Sequence, residues 1–138
     1  MNSFFVTGTD TDVGKTCVSA SIAKHLRDID VDVGVMKPFA SGYKATPDSI
    51  SEDVKILMKY SGVKDPVDLV NPYYFEIPTS PYDASKQLNL EIDIYKVIES
   101  YKQLASIHDI VIVEGIGGIM TPISVSYTHL TLPTILLV

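Results

Sequence analysis

The chain has 138 residues, 46% of them hydrophobic, which suits one domain with a real core, and neither the composition nor the charge fraction suggests disorder. A formal net charge of -6 argues against a general nucleic-acid binder, because a phosphate backbone demands a basic face. The single cysteine, Cys17, excludes an internal disulfide framework and suits a reducing compartment. No basic n-region opens the chain, and no run approaches the ~20 apolar residues of a membrane span. A cytoplasmic, soluble protein is expected, with neither nucleic acid nor membrane as partner.

SFFVTG, residues 3–8, is an apolar, aromatic and β-branched run stopped by glycine, and it predicts a buried strand. From Gly14 the period changes. Val18, Ile22, Leu26 and Ile29 recur at three to four residues and predict a helix to about Asp28 with that stripe inward. VDVGVMK, residues 31–37, predicts a second strand buried only in its middle and ended by Pro38. FASGYKATPDS is loop by composition. Ser49 and Glu52 fit a capping box, opening a helix with Val54, Leu57 and Met58 as its apolar stripe and Gly62 as its stop. NPYYFEIPTSPYDAS offers one short edge strand, residues 73–75, and then a long loop. A helix over 92–107 follows, with Ile94, Val97, Ile98, Tyr101, Leu104 and Ala105 on one face. DIVIVEGIGG, residues 109–118, is a strand, then Glu114, then a glycine turn. Strands alternating with helices predict an α/β fold with a parallel sheet. The last stretch, SVSYTHLTLPTILLV, has no helical period. ILLV reads as a buried strand on which the chain stops, so the fold is expected to be truncated.

The strongest chemical signal is GTDTDVGKT, residues 8–16. A phosphate-binding loop reads G-x-x-x-x-G-K-[ST], whereas here five residues separate Gly8 from Gly14. Strand, glycine-bearing loop, GKT and helix nevertheless coincide. A helix N-terminus offers unpaired N–H groups to phosphate. Lys15 can reach the β- and γ-phosphates, and the Thr16 hydroxyl can hold Mg²⁺. Asp10 and Asp12 make the loop acidic. They point to a ligand carrying positive charge, or stand as solvated loop residues. Glu114 ends a strand and falls beside the loop after strand one, where it can bind Mg²⁺ directly or through water. Lys37 ends strand two, where strand C-termini gather at a ligand crevice, and can clamp transferring oxygens there. Asp53 sits in a helix's first turn, a placement the helix dipole alone also favours. Ser41 and Gly42 can bind an anion or form a generic turn. His25, His108 and His129 share no ligand spacing and are expected at the surface. Cys17 at a helix start is placed to lower a thiol pKa, though packing as a small apolar residue suits it better.

Together these motifs resemble the dethiobiotin synthetase family. FFVTGTDTDVGKT is similar to its phosphate loop, including the five-residue spacing, and MKPFASG to its substrate-lysine segment. NPYYFEIPTSP is similar to its proline-rich substrate loop and VIVEGIGGIMTPI to its acidic strand and glycine turn. The resemblance runs from Phe4 to Ile123. It implies a P-loop NTPase-like parallel sheet flanked by helices and ATP-dependent ring closure of 7,8-diaminononanoate with CO₂ or bicarbonate to dethiobiotin, ADP and phosphate, in biotin biosynthesis. It also implies that Lys15 and Lys37 hold phosphate and carbamate oxygens, and that Ser41 contacts substrate. Asp12, Val13, Gly14, Lys15, Thr16 and Cys17 would wrap the nucleotide phosphates, with Gly115, Ile116 and Gly117 beside them. Thr16, Asp53 and Glu114 would surround Mg²⁺. Family members are usually homodimers, and a diamine substrate would account for the acidic loop.

Residues 1–123 thus read as the N-terminal part of such a domain, and 124–138 as an anomalous tail. VSYTHLTLPT resembles a translated sequencing adapter, while LPTILLV alternatively reads as the family's next strand brought close by a deletion. Half a site is expected in the chain as it stands. Two rival families share parts of this pattern. A cobyrinic acid amide synthase-like ligase shares a long phosphate loop but would carry a glutaminase domain, for which the chain has no room. A partition-type ATPase, a nucleotide-switched binding module, resembles KGGxGKT with a lysine where Asp10 stands here.

Overall fold

The computed structural model describes residues 2–42 and 50–124. In chain order its elements are β1 (Asn2–Val6), α1 (Lys15–Asp28), β2 (Val33–Met36), β3 (Phe39–Ser41), α2 (Glu52–Ser61) and α3 (Val67–Val70). Then come β4 (Tyr73–Phe75), α4 (Pro81–Gln87), α5 (Ile94–Ile107) and β5 (Ile110–Glu114). β5 lies between β1 and β2, parallel to both, with Val6 opposite Glu114 and Met36 opposite Val113. β3 and β4 form a second parallel pair. The parallel α/β architecture expected from the alternation is present.

Side chains alternate across a strand, and here the alternation fills two cores. Val33, Val35 and Ile112 face Ala20 and Ala23 of α1 and Val54 and Leu57 of α2. Met36, Val111 and Val113 face Val97, Ile98, Tyr101 and Leu104 of α5. The central sheet is therefore covered on both faces, and its strand ends become the places where polar chemistry can gather.

Most of the stripe expected to anchor α1 is on the wrong side, and of its four residues only Leu26 packs against the core. Val18 and Ile29 are more than half exposed and Ile22 lies at the surface, while Ser19, Ala20 and Ala23 are buried. Small residues let the helix axis approach β2 and α2 closely. A periodicity weighted by large apolar side chains therefore selected the opposite face. β1 ends at Val6 and is not the buried strand expected: Phe4 is 50% exposed, and β1 is terminal in the strand order of the described residues. An apolar run reports β propensity, not how many neighbours the strand acquires.

Three further corrections concern loops. Residues 39–41, expected as loop, form β3: Pro38 ends β2 but its carbonyl still accepts from Tyr73 N–H at 3.1 Å, which starts the pairing with β4. α2 is capped by Ser51, whose hydroxyl accepts from Val54 N–H at 3.2 Å; Ser49, the expected cap, lies outside the described residues. The long loop after Phe75 contains α4. Ser80 caps it with Pro81 in the first turn, accepting from Asp83 N–H at 3.2 Å and donating to Asp83 Oδ2 at 2.9 Å. That reciprocal S-x-x-D arrangement is legible in the sequence, where Ser80 precedes Asp83 by three residues. β4, α5, the Gly62 stop and β5 fall within two residues of expectation. The tail after Ser124, including ILLV and His129, lies outside the described residues.

His25 is exposed, as expected. His108 is not: its side chain is 10% exposed and sits at the N-terminal ends of the strands, bonded through Nδ1 to Asp32 at 2.8 Å and through Nε2 to Asp65 at 3.0 Å. Burial pulls its pKa down, but hydrogen bonds and charge from both carboxylates outweigh it and hold the imidazole above its ordinary value of 6.5.

Candidate active site

The opposite edge of the sheet, where the strands end, opens into a cavity of about 650 Å³. Its floor is the loop between β1 and α1. Gly14 ends that loop with φ 99°, a left-handed conformation that glycine adopts freely and that turns the chain into α1. Lys15 is 9% exposed and curls back, its Nζ donating to the Asp10 carbonyl at 2.7 Å. The same side chain lines the cavity, so an anionic ligand placed there would compete with that carbonyl for it.

Behind the loop stands a buried charge cluster. Glu114, at the end of β5, is fully buried, and Lys37, one residue past β2, is 4% exposed. Their side chains meet at 2.7 Å. Lys37 Nζ also lies 3.0 Å from Asp53 Oδ2, which the first turn of α2 presents to it. Thr16, in the first turn of α1, donates its hydroxyl hydrogen to the same Glu114 Oε1 at 2.7 Å. Four elements far apart in sequence thus deliver one hydroxyl, one ammonium and two carboxylates to a single spot.

The other oxygen, Glu114 Oε2, is buried without a hydrogen-bond partner among the described residues. A buried carboxylate oxygen left unsatisfied is costly, and it marks a place for a further donor or cation. Thr16, Asp53 and Glu114 supply hard oxygen atoms only, the set that suits Mg²⁺ completed by phosphate and water. Among the described residues no group of three or more His, Cys, Asp or Glu is gathered as a metal cage. A cation held here would therefore depend on ligand oxygens for the rest of its shell.

Most of the sequence-predicted residues converge. Asp12, Gly14, Lys15, Thr16, Cys17, Lys37, Ser41, Asp53, Glu114, Ile116 and Gly117 all border the cavity. Val13 does not: it is 51% exposed and lies against Gly8. Gly115 lies behind the wall, its carbonyl 3.5 Å from Lys37 Nζ. Cys17 is exposed beside Thr16 rather than packed as a small apolar residue. The two loop aspartates separate in role: Asp12 faces the cavity, while Asp10 Oδ1 accepts from Thr11 N–H at 2.7 Å and shapes the turn.

Thr11, Pro78, Thr79, Ser80, Thr121 and Pro122 complete the cavity wall; they lie in the phosphate-loop, proline-rich and glycine-turn segments that carry the resemblance, but none was singled out as a site residue. Tyr82 N–H donates to the Pro122 carbonyl at 3.2 Å, tying two of these segments together.

A family model described as an AAA domain matches residues 2–138. The chain is 51% identical over 127 residues to the ATP-dependent dethiobiotin synthetase BioD of Nitrosopumilus maritimus (strain SCM1), covering 92% of this chain and 56% of that protein. It is 37% identical over 129 residues to the protein of that name from Anaeromyxobacter dehalogenans (strain 2CP-C), covering 94% and 56%. With the Bacillus subtilis (strain 168) protein it shares 38% over 128 residues, covering 92% and 54%. The chain spans about half the length of the curated relatives it matches. With its parallel sheet, helices on both faces and a phosphate loop at the strand ends, this chain belongs to the AAA domain family, and the relatives it resembles there are the ATP-dependent dethiobiotin synthetases.

Proposed function

We propose that this chain carries the phosphoryl-transfer half of an ATP-dependent dethiobiotin synthetase, a ligase of biotin biosynthesis. The observation that supports it best is the buried Lys37, held between Asp53 and Glu114 in the cavity that the phosphate loop floors. A lysine so placed suits a reaction whose transferring oxygens are all anionic.

In that reaction one amine of 7,8-diaminononanoate takes up CO₂ and becomes a carbamate. A carbamate oxygen attacks the γ-phosphorus of ATP, and the bond to ADP breaks. The second amine then attacks the carbamoyl carbon, the cyclic urea closes, and phosphate leaves with the bonding pair. Such transfers need positioning and charge neutralisation rather than a protein nucleophile. Lys15 would hold the β- and γ-phosphate oxygens, and Lys37 the oxygens passing between carbamate and phosphate. The amides of residues 12–17 would cradle the nucleotide phosphates, with Gly115, Ile116 and Gly117 beside them. Ser41 would donate to the substrate, and Asp12 would face its cationic amine. Thr16, Asp53 and Glu114 would hold Mg²⁺, which supplies charge neutralisation at the phosphates when bound. A homodimer in the cytoplasm follows from the family resemblance. No described helix is long and apolar enough to cross a membrane.

The test uses a full-length protein carrying this sequence, supplied with ATP, Mg²⁺, bicarbonate and the diamine. Dethiobiotin should accumulate in step with ADP, detected by mass spectrometry. ATP consumption that is indifferent to the diamine overturns the assignment.

A further inference from the structure

The Lys37 main chain is bonded by a residue outside the cavity wall. Lys37 lies at the point where β2 leaves the main sheet and β3 starts the second one, and the next residue, Pro38, has no N–H to contribute. The junction is held by three elements instead. Lys37 N–H donates to the Val70 carbonyl at 2.8 Å, and the Pro38 carbonyl accepts from Tyr73 N–H at 3.1 Å. Between these two bonds sits Asn71, 8% exposed, whose own N–H donates to Val67 O at 2.7 Å. Its amide nitrogen, Nδ2, donates to the Lys37 carbonyl at 2.7 Å and to the Tyr73 carbonyl at 3.0 Å. Both amide hydrogens are thereby engaged, one on each side of the seam between the two sheets.

We propose that Asn71 is the positioning residue for Lys37: its side-chain amide joins the Lys37 and Tyr73 carbonyls and so fixes the backbone from which the Lys37 ammonium reaches Glu114 and Asp53. The inference rests on Lys37 acting in phosphoryl transfer. An amide is the chemistry the place requires, because two carbonyls need two donors from one short side chain. Aspartate has the same shape with no donor in its ionised form, and alanine removes the donors without adding an acceptor. A misplacement near 1 Å at a reacting group costs about a hundredfold in rate.

The experiment compares Asn71→Asp and Asn71→Ala in the full-length protein, alone and combined with Lys37→Met. Each single Asn71 substitution should lower kcat for diamine-dependent ATP consumption about tenfold to a hundredfold. ADP affinity should stay within about twofold, and in the Lys37→Met background the further loss of kcat should be under about twofold. Equal losses in both backgrounds, or an unchanged kcat, overturn the proposal. A second readout needs no turnover. In protein labelled with ¹⁵N-lysine, the Lys37 ammonium signal, assigned by its disappearance in Lys37→Met, should shift or broaden in Asn71→Ala. A Lys37 signal that stays put in a folded variant also overturns it. Absence of diamine-dependent turnover in the unsubstituted protein would sink the functional reading alone, and the ammonium signal would still decide the role of Asn71.

Discussion

Lys37→Met removes the cation that Glu114 is paired with among the described residues, while nearly preserving side-chain volume. Glu114 is fully buried and Lys37 4% exposed, so neither charge is screened by solvent, and their atoms lie 2.7 Å apart. After the substitution Glu114 keeps only the Thr16 hydroxyl on Oε1, and Oε2 remains without a partner among the described residues. Removing one member of a buried ion pair costs about 3–5 kcal/mol, because the remaining charge is stranded. Asp53 adds little to this, being 47% exposed and solvated in its own right. For a domain of this size each kcal/mol corresponds to roughly 3–5 °C, so a fall of roughly 10–20 °C in Tm is expected at neutral pH. The control is Lys37→Met combined with Glu114→Gln. Replacing the stranded carboxylate by a neutral amide should recover at least about half of the lost stability. Circular dichroism melts of the parent and both variants make the comparison. A single variant melting within about 3 °C of the parent, or a double variant no more stable than the single one, would refute the argument that the cluster is held by charge pairing.

Two other outcomes follow. The stabilisation from His108 depends on its proton: with the folded pKa above 6.5, it is fully present below that value and lost as pH rises through the folded pKa. Urea midpoints of the parent should therefore fall above about pH 6.5 by more than those of His108→Ala; parallel curves would exclude the His108 contribution. Gly118→Ala should weaken binding of a fluorescent ATP analogue at least about tenfold, since a Cβ there would stand 2.5 Å from the Thr9 carbonyl and push the phosphate loop from behind. Unchanged affinity would show that the loop tolerates displacement.

Legibility in the sequence followed length and context. α5 carries a full apolar face over four turns, and β5 a run of four β-formers, so both could be read without tertiary information. α1 misled because its inward face is made of Ser19, Ala20 and Ala23, residues whose smallness is the reason they are buried. β3 has three residues and exists only because β4 lies alongside it, which no local pattern encodes. In the site, Lys15 and Thr16 were legible from the loop, and Lys37 and Glu114 from their places at strand ends. Asp53 was ambiguous, since a first-turn carboxylate is expected on any helix; only the packing of α2 against α1 and β2 brings it to Lys37. His108 was invisible as a contact because its partners, Asp32 and Asp65, are distant in sequence and have no motif in common with it.

The phosphate loop is held to the rest of the cavity by main chain. Gly115 N–H donates to the Val6 carbonyl at 2.9 Å, Ile119 N–H to the Gly8 carbonyl at 3.0 Å, and Gly118 lies against the Thr9 carbonyl with no room for a side chain. A survey that truncates side chains one at a time to alanine measures what each side chain contributes. Along this seam there is almost nothing to truncate, and at Gly118 the substitution adds an atom instead of removing one. Such a survey would score the hydroxyls and charges of the cavity and pass over the joint that holds them in register, unless glycines are enlarged as deliberately as other residues are cut back.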